Sequence, residues 1–100
     1  MYIMQIVQVY VSAANGLALY RKQIPDLLML LLGEEGVKHV AFIGDEEGSA
    51  LTMLQLIWES REAADTWMNG GLYELVLEGV RRHGSDVEIR FFSVEAVGWN

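Results

Sequence analysis

One hundred residues, 52% of them hydrophobic and 21% charged, suffice for one domain and leave no room for two, since domains commonly run to about 100–150 residues. A net charge of -7 repels phosphate backbones and anionic lipid, which argues against a nucleic-acid partner. The absence of cysteine excludes disulfides, thiolate nucleophiles and sulfur-bound metal centres, and suits a reducing, cytoplasmic setting.

Met4 to Ala13 carries Ile6, Val7, Val9, Tyr10 and Val11, a β-branched and aromatic run that reads as a first strand. Asn15 is placed to cap a helix whose apolar residues Leu17, Tyr20, Ile24, Leu27, Leu28 and Leu31 recur every three or four positions. Pro25 lies inside that stripe and is expected to kink or interrupt it, and Gly33 and Gly36 end it. The aliphatic run Leu27 to Leu32 falls far short of the roughly 18 residues of a membrane span, and no basic segment followed by an apolar one marks the N-terminus for export. Val37 to Ile43 and Leu51 to Trp58 read as two more strands, joined by the polar, glycine-bracketed segment from Gly44 to Ser49 and therefore expected to pair antiparallel. Ser60 is a candidate cap for a second helix, with Glu62 in its first turn and Ala64, Trp67, Met68, Leu72, Leu75, Val76 and Val80 as its stripe. Gly70-Gly71 is expected to bend that helix and His83-Gly84-Ser85 to close it. Val87 to Val97 forms the last strand, ahead of a short tail at Gly98-Trp99-Asn100.

The order βαββαβ is the ferredoxin-like α+β arrangement, a four-stranded sheet with both helices on one face. The exposed face of such a sheet is ordinarily polar, yet these strands are apolar on both sides. Leu51, Met53 and Ile57 stand opposite Leu54, Leu56 and Trp58, while Met4, Ile6 and Tyr10 stand opposite Val7, Val9 and Val11. A second subunit laid sheet to sheet accounts for that surplus, and the expected state is a homodimer.

Groups able to do chemistry are few. His39 lies in the second strand with no second ligand at metal spacing, so a merely packed or half-exposed imidazole is the plainer reading. His83, in the last helical turn, is accounted for by the helix dipole. Asp45, Glu46 and Glu47 lack the loop of a calcium site and read as a solvated hairpin tip. No glycine pattern cradles a nucleotide phosphate, no serine sits in a hydrolase elbow, and no metal or flavin site is expected. What remains is an aromatic and amide set comprising Tyr10, Phe42, Trp58, Trp67, Tyr73 and Phe92, with Gln8 and Gln55 on strands. Such residues either fill a core or surround a small apolar ligand, and any chemistry there would draw on the ligand's own reactivity.

The segment Trp58-Glu59-Ser60-Arg61-Glu62-Ala63-Ala64-Asp65-Thr66-Trp67 resembles the W-E-S-x-E-A-x-x-x-W signature of the antibiotic biosynthesis monooxygenase domain, in the dimeric α/β-barrel superfamily. The resemblance extends over nearly the whole chain, through the internal proline of the first helix and the acidic hairpin loop. It implies dimers formed through the open sheet face, a pocket between sheet and helices, and oxygenation of phenolic polyketides and quinols without a cofactor, the substrate anion reducing dioxygen directly. Trp58 matches the signature's opening tryptophan, a pocket residue in the polyketide oxygenases, but their asparagine four residues earlier is Leu54. Trp67 matches the tryptophan that heme-degrading members stack near the porphyrin, but their iron-ligating histidine ten residues on is Leu77, which counts against heme. Gln8 is the nearest amide to their first-strand asparagine.

The leading expectation is thus a cofactor-independent monooxygenase for a small phenol, quinol or anthrone-like aromatic. Trp58, Trp67 and Tyr73 would enclose the ring, and Gln55 or His39 would hydrogen-bond the phenolate oxygen. The alternative is a non-catalytic dimeric module of the same fold that binds a small apolar molecule, and a heme-degrading oxygenase comes third.

Overall fold

The computed structural model describes residues 1–11, 16–47, 51–83 and 87–98, apart from the side chains of residues 16–20, 76 and 79–83. The Asn15 cap, the end of the first strand at Ala13, Gly48-Ser49 of the hairpin, the Gly84-Ser85 stop and the final Trp99-Asn100 lie outside the described residues. Four strands, β1 (Ile3–Tyr10), β2 (Val37–Gly44), β3 (Leu51–Trp58) and β4 (Val87–Ser93), form one antiparallel sheet in the order β2-β3-β1-β4. Helix α1 (Gly16–Leu32) links β1 to β2, while α2 (Arg61–Met68) and α3 (Gly71–His83) link β3 to β4. This is the expected ferredoxin-like α+β fold, with β2 and β3 paired as an antiparallel hairpin.

Three elements differ from expectation, each for a local reason. Pro25 does not interrupt α1, which runs through it from Gly16 to Leu32. Proline's φ is already helical, and the buried contacts of Ile24, Leu27 and Leu31 hold both sides of the break in hydrogen bonding. The second helix is divided rather than bent. Asn69 caps α2, its N–H bonding back to the Asp65 carbonyl while the Gly70 N–H bonds to that of Trp67, and Gly70 turns the chain into α3. The last strand stops at Ser93, four residues short of Val97; beyond it the Val94 N–H still reaches the Tyr2 carbonyl at 2.9 Å.

Register assigns every strand residue to a face. Gln5, Val7 and Val9 of β1 stand beside Leu56, Leu54 and Thr52 of β3, and all six are buried beneath the helices. Leu31 of α1, Ala64 and Trp67 of α2, and Tyr73 and Leu77 of α3 complete this core. The other face carries Met4, Ile6, Gln8 and Tyr10 of β1, Met53, Gln55 and Ile57 of β3, and His39, Ala41 and Ile43 of β2. Among the described residues no helix is long and apolar enough to cross a membrane.

Candidate functional site

The site begins where β3 gives way to α2. Trp58, the last residue of β3, points to the helix side and is fully buried. Ser60 then caps α2, its hydroxyl accepting the Ala63 N–H at 3.1 Å from an extended backbone, with Glu62 in the first turn where a negative charge suits the helix dipole. This cap starts the helix at the phase that returns Trp67 over the sheet. Its ring lies 5.4 Å from that of Trp58, tilted by 34°. Tyr73, delivered by the first turn of α3, meets Trp67 edge-on at 4.7 Å and 70°. Each such aromatic contact adds about 0.5–1.5 kcal/mol beyond the area it buries.

Polar atoms in this cluster are few and unevenly satisfied. The Trp58 indole Nε1–H donates to Gln5 Oε1 at 3.0 Å, and Gln5, like Trp58, is wholly inaccessible. Gln5 Nε2 and Trp67 Nε1 are buried without a hydrogen-bond partner. A buried donor left unpaired costs about 1–3 kcal/mol, so the cluster carries a conspicuous polar deficit. Thr52, the other buried polar side chain of the sheet, has no such deficit, since its hydroxyl donates to the Val9 carbonyl at 3.2 Å. Among the described core residues there is no carboxylate, imidazole or amine.

Trp67 also lines a cleft of about 260 Å³, walled by Glu34, Glu35, Ala63, Thr66, Gly70, Gly71 and Leu72. The break between α2 and α3 therefore does more than turn the chain: its glycines open one wall of the cleft beside the aromatic cluster. Glu34 and Glu35 give the cleft an acidic edge, and the adjoining hollow of about 220 Å³ adds Glu59 and Glu62.

The five residues singled out from sequence are divided by the sheet. Trp58, Trp67 and Tyr73 come together on the helix side. Gln55 and His39 lie on the opposite face, so they do not meet the three aromatics. Gln55, paired with Ile6 and Ala41, bonds Met4 Sδ through Nε2 at 3.5 Å. His39, opposite Ile57, borders a small apolar hollow with Tyr2, Lys38, Val94 and Val97. Gln8, opposite Met53, shares their face, as do the exposed Tyr10 and Phe92. The helix-side amide is Gln5 instead, a residue the sequence reading passed over. Its signal was phase: Gln5 is two residues before Val7 and four before Val9, in step with the buried side of β1. Leu54 and Leu77 both pack into the core, where the one supplies no amide and the other no iron ligand. The described residues around the cluster therefore do not fit a heme iron. Among the described residues no group of acidic or histidine side chains is arranged for a metal ion.

No protein-family model matches the sequence, and no curated protein matches it. Solved structures, by contrast, superpose along nearly the whole chain. Rv0793 from Mycobacterium tuberculosis aligns with a TM-score of 0.83 at 13% identity, covering 99% of this chain and 100% of that one. A Deinococcus radiodurans protein provisionally designated an antibiotic biosynthesis monooxygenase aligns at 0.81 and 15% identity, covering 100% and 99%. SnoaB, a cofactor-independent oxygenase from Streptomyces nogalater, aligns at 0.80 and 10% identity, covering 96% and 95%. At such identities the likeness is one of fold, and the fold is the one that the Trp58–Trp67 segment led us to expect.

Proposed function

We propose, for a chain with the antibiotic biosynthesis monooxygenase fold, that the helix-side aromatic cluster receives a small phenol, quinol or anthrone-like substrate and promotes its oxygenation by dioxygen without a cofactor. The observation that carries this reading is the pair of unpartnered buried donors among Trp58, Trp67 and Tyr73, beside a cleft that shares Trp67. An apolar cavity with a few well-placed polar groups is the ordinary form of a small-molecule site. The fold likeness to SnoaB, a cofactor-independent oxygenase, supports the reaction type.

The residues suit a particular division of labour. Aromatic walls exclude water from the ring, and N–H donors favour the electron-rich oxyanion form of the substrate, the form able to reduce dioxygen directly. The carboxylates at the cleft edge repel anions, so the substrate enters neutral, and its proton passes to one of them, Glu34 or Glu35, the titratable groups that line the cleft. His39 and Gln55, on the far side of the sheet, take no part in this step and belong to the other surface.

That surface is the second half of the proposal. The sheet face opposite the helices carries Met4, Ile6, Met53, Ala41 and Ile43, with Tyr10 47% and Phe92 41% exposed. The accessible surface is 6406 Å², against about 5,700 Å² for a typical folded monomer of this mass. We assign the face to a sheet-to-sheet homodimer, the assembly that the family resemblance implies.

The direct test is oxygen uptake by purified protein in flavin-free, metal-chelated buffer with a panel of quinols and anthrones. Uptake above the buffer rate with at least one substrate, lost in Trp58→Ala, is the expected result. A panel without any enhancement removes the enzymatic reading. It would leave a non-catalytic aromatic-binding module, which the apolar Leu54 and Leu77 favour.

A further inference from the structure

The fold leaves the Gln5 amide half used. Its oxygen accepts the Trp58 indole N–H at 3.0 Å, and this bond decides which way round the amide sits. An indole nitrogen only donates, so the amide oxygen must face it and the NH2 group must face elsewhere. There it carries two N–H bonds and finds no acceptor, although the side chain is wholly buried. The indole N–H of Trp67, whose ring stacks on the same Trp58, is likewise without one. Folded proteins rarely bury donors in this condition, and a ligand acceptor is what this pair lacks.

We infer that Gln5 is the residue that holds the ligand: its N–H bonds donate to an oxygen on the edge of a flat aromatic, with the Trp67 indole N–H as the other uncommitted donor of the cluster. The inference rests on the helix-side cluster being the ligand site, and it adds the residue that holds the ligand's oxygen there. The aromatic must carry a carbonyl, phenol or enolate oxygen. An aromatic amine would turn its own N–H bonds toward those of Gln5 and is rejected, because a buried polar group discriminates strongly against a ligand that leaves it unpaired. Trp58 acts through Gln5 as a positioning residue. Its indole N–H keeps the amide from turning over.

Equilibrium dialysis with naphthol, naphthalene and naphthylamine tests this. The wild-type protein is expected to bind naphthol about five- to tenfold more tightly than naphthalene, the worth of one good hydrogen bond, and naphthylamine no better than naphthalene. Gln5→Leu should abolish the preference for naphthol while leaving naphthalene binding intact. Gln5→Met keeps the length and a weak sulfur acceptor for Trp58 but removes the donors, and should likewise lose the preference. Because it is nearly isosteric, it carries the test if Gln5→Leu fails to fold, with tryptophan emission reporting whether Trp58 remains buried. An undiminished preference for naphthol in the folded variants overturns the assignment of Gln5 and leaves the cluster as the site. If wild type binds none of the three probes, both the assignment and the site are overturned. A naphthol preference lost with Gln5, in a protein that consumes no oxygen with any quinol, upholds the assignment and defeats only the oxygenase reading.

Discussion

At Gly36 the backbone turns from α1 into β2 with φ of 85°, and a Cβ there would lie 2.7 Å from that of Ala63. Only glycine adopts this conformation freely, and here even a methyl group has no room. Gly36→Ala should lower stability by about 2 kcal/mol, read as a shift in urea midpoint, because strain and clash act together. The carbonyl of the same residue accepts the Glu59 N–H at 2.8 Å, so the damage would reach the start of α2 and the placing of Trp67. Trp58 and Gln5 are coupled in a way that a mutant cycle can measure. Trp58→Phe should cost about 3 kcal/mol, part lost ring contact and part an orphaned Gln5 oxygen, and Gln5→Leu should cost about 1–3 kcal/mol by orphaning the indole N–H. The double variant should cost less than the sum by about 1 kcal/mol, and full additivity of the urea midpoints would refute the coupling. Trp58, Trp67 and Tyr73 were legible in the sequence because large aromatics at strand and helix phase must pack somewhere. Gln5 was legible only through its phase with Val7 and Val9; its bond to Trp58 was not, because nothing in a strand names the partner that an amide meets across the fold.

The strands were readable at the scale of elements, since β-branched and aromatic runs bounded by glycine and polar residues leave little choice of conformation. Helix boundaries were readable where a side chain makes the boundary. Ser60 does so for α2, and Ser60→Ala should cost about 1 kcal/mol in thermal or urea unfolding by freeing the Ala63 N–H. A loss below a few tenths would mean that water satisfies this helix end as well as the hydroxyl does. The division between α2 and α3 was half legible. The glycine pair announced a weakness, but whether a helix bends or stops there depends on what its two halves pack against. Trp67 and Tyr73 pack against each other across the break, and α2 and α3 can serve one cluster only by changing direction between Met68 and Gly71. Pro25 does not interrupt α1 for the converse reason: a proline forbids one hydrogen bond, and tertiary packing along α1 outweighs it.

For the whole molecule, the sheet separates two apolar surfaces with different fates. One closes under the helices around Trp58, and the other is the face we assign to a second copy. A charge at the centre of the open face should disperse the dimer, so Ile6→Lys or Met53→Lys is expected to halve the mass seen by light scattering at micromolar concentration without lowering helix content. A wild-type protein already monomeric under those conditions would contradict the assignment of that face. The hydrophobic surplus was visible in composition, and the strand pattern pointed to the open face as its place. Which candidate polar residues accompany which aromatics depends on strand parity, and the sheet puts Gln55 and His39 on one side and Gln5 on the other. On this arrangement we propose that aromatic ligands are bound on the helix side alone. Titration with naphthol, followed by NMR of the side-chain N–H and imidazole signals, tests it most directly. Shifts are expected at the Trp58 and Trp67 indole N–H and the Gln5 amide, with Gln55 and His39 unmoved. Shifts at Gln55 and His39, with the two indoles unchanged, would contradict it.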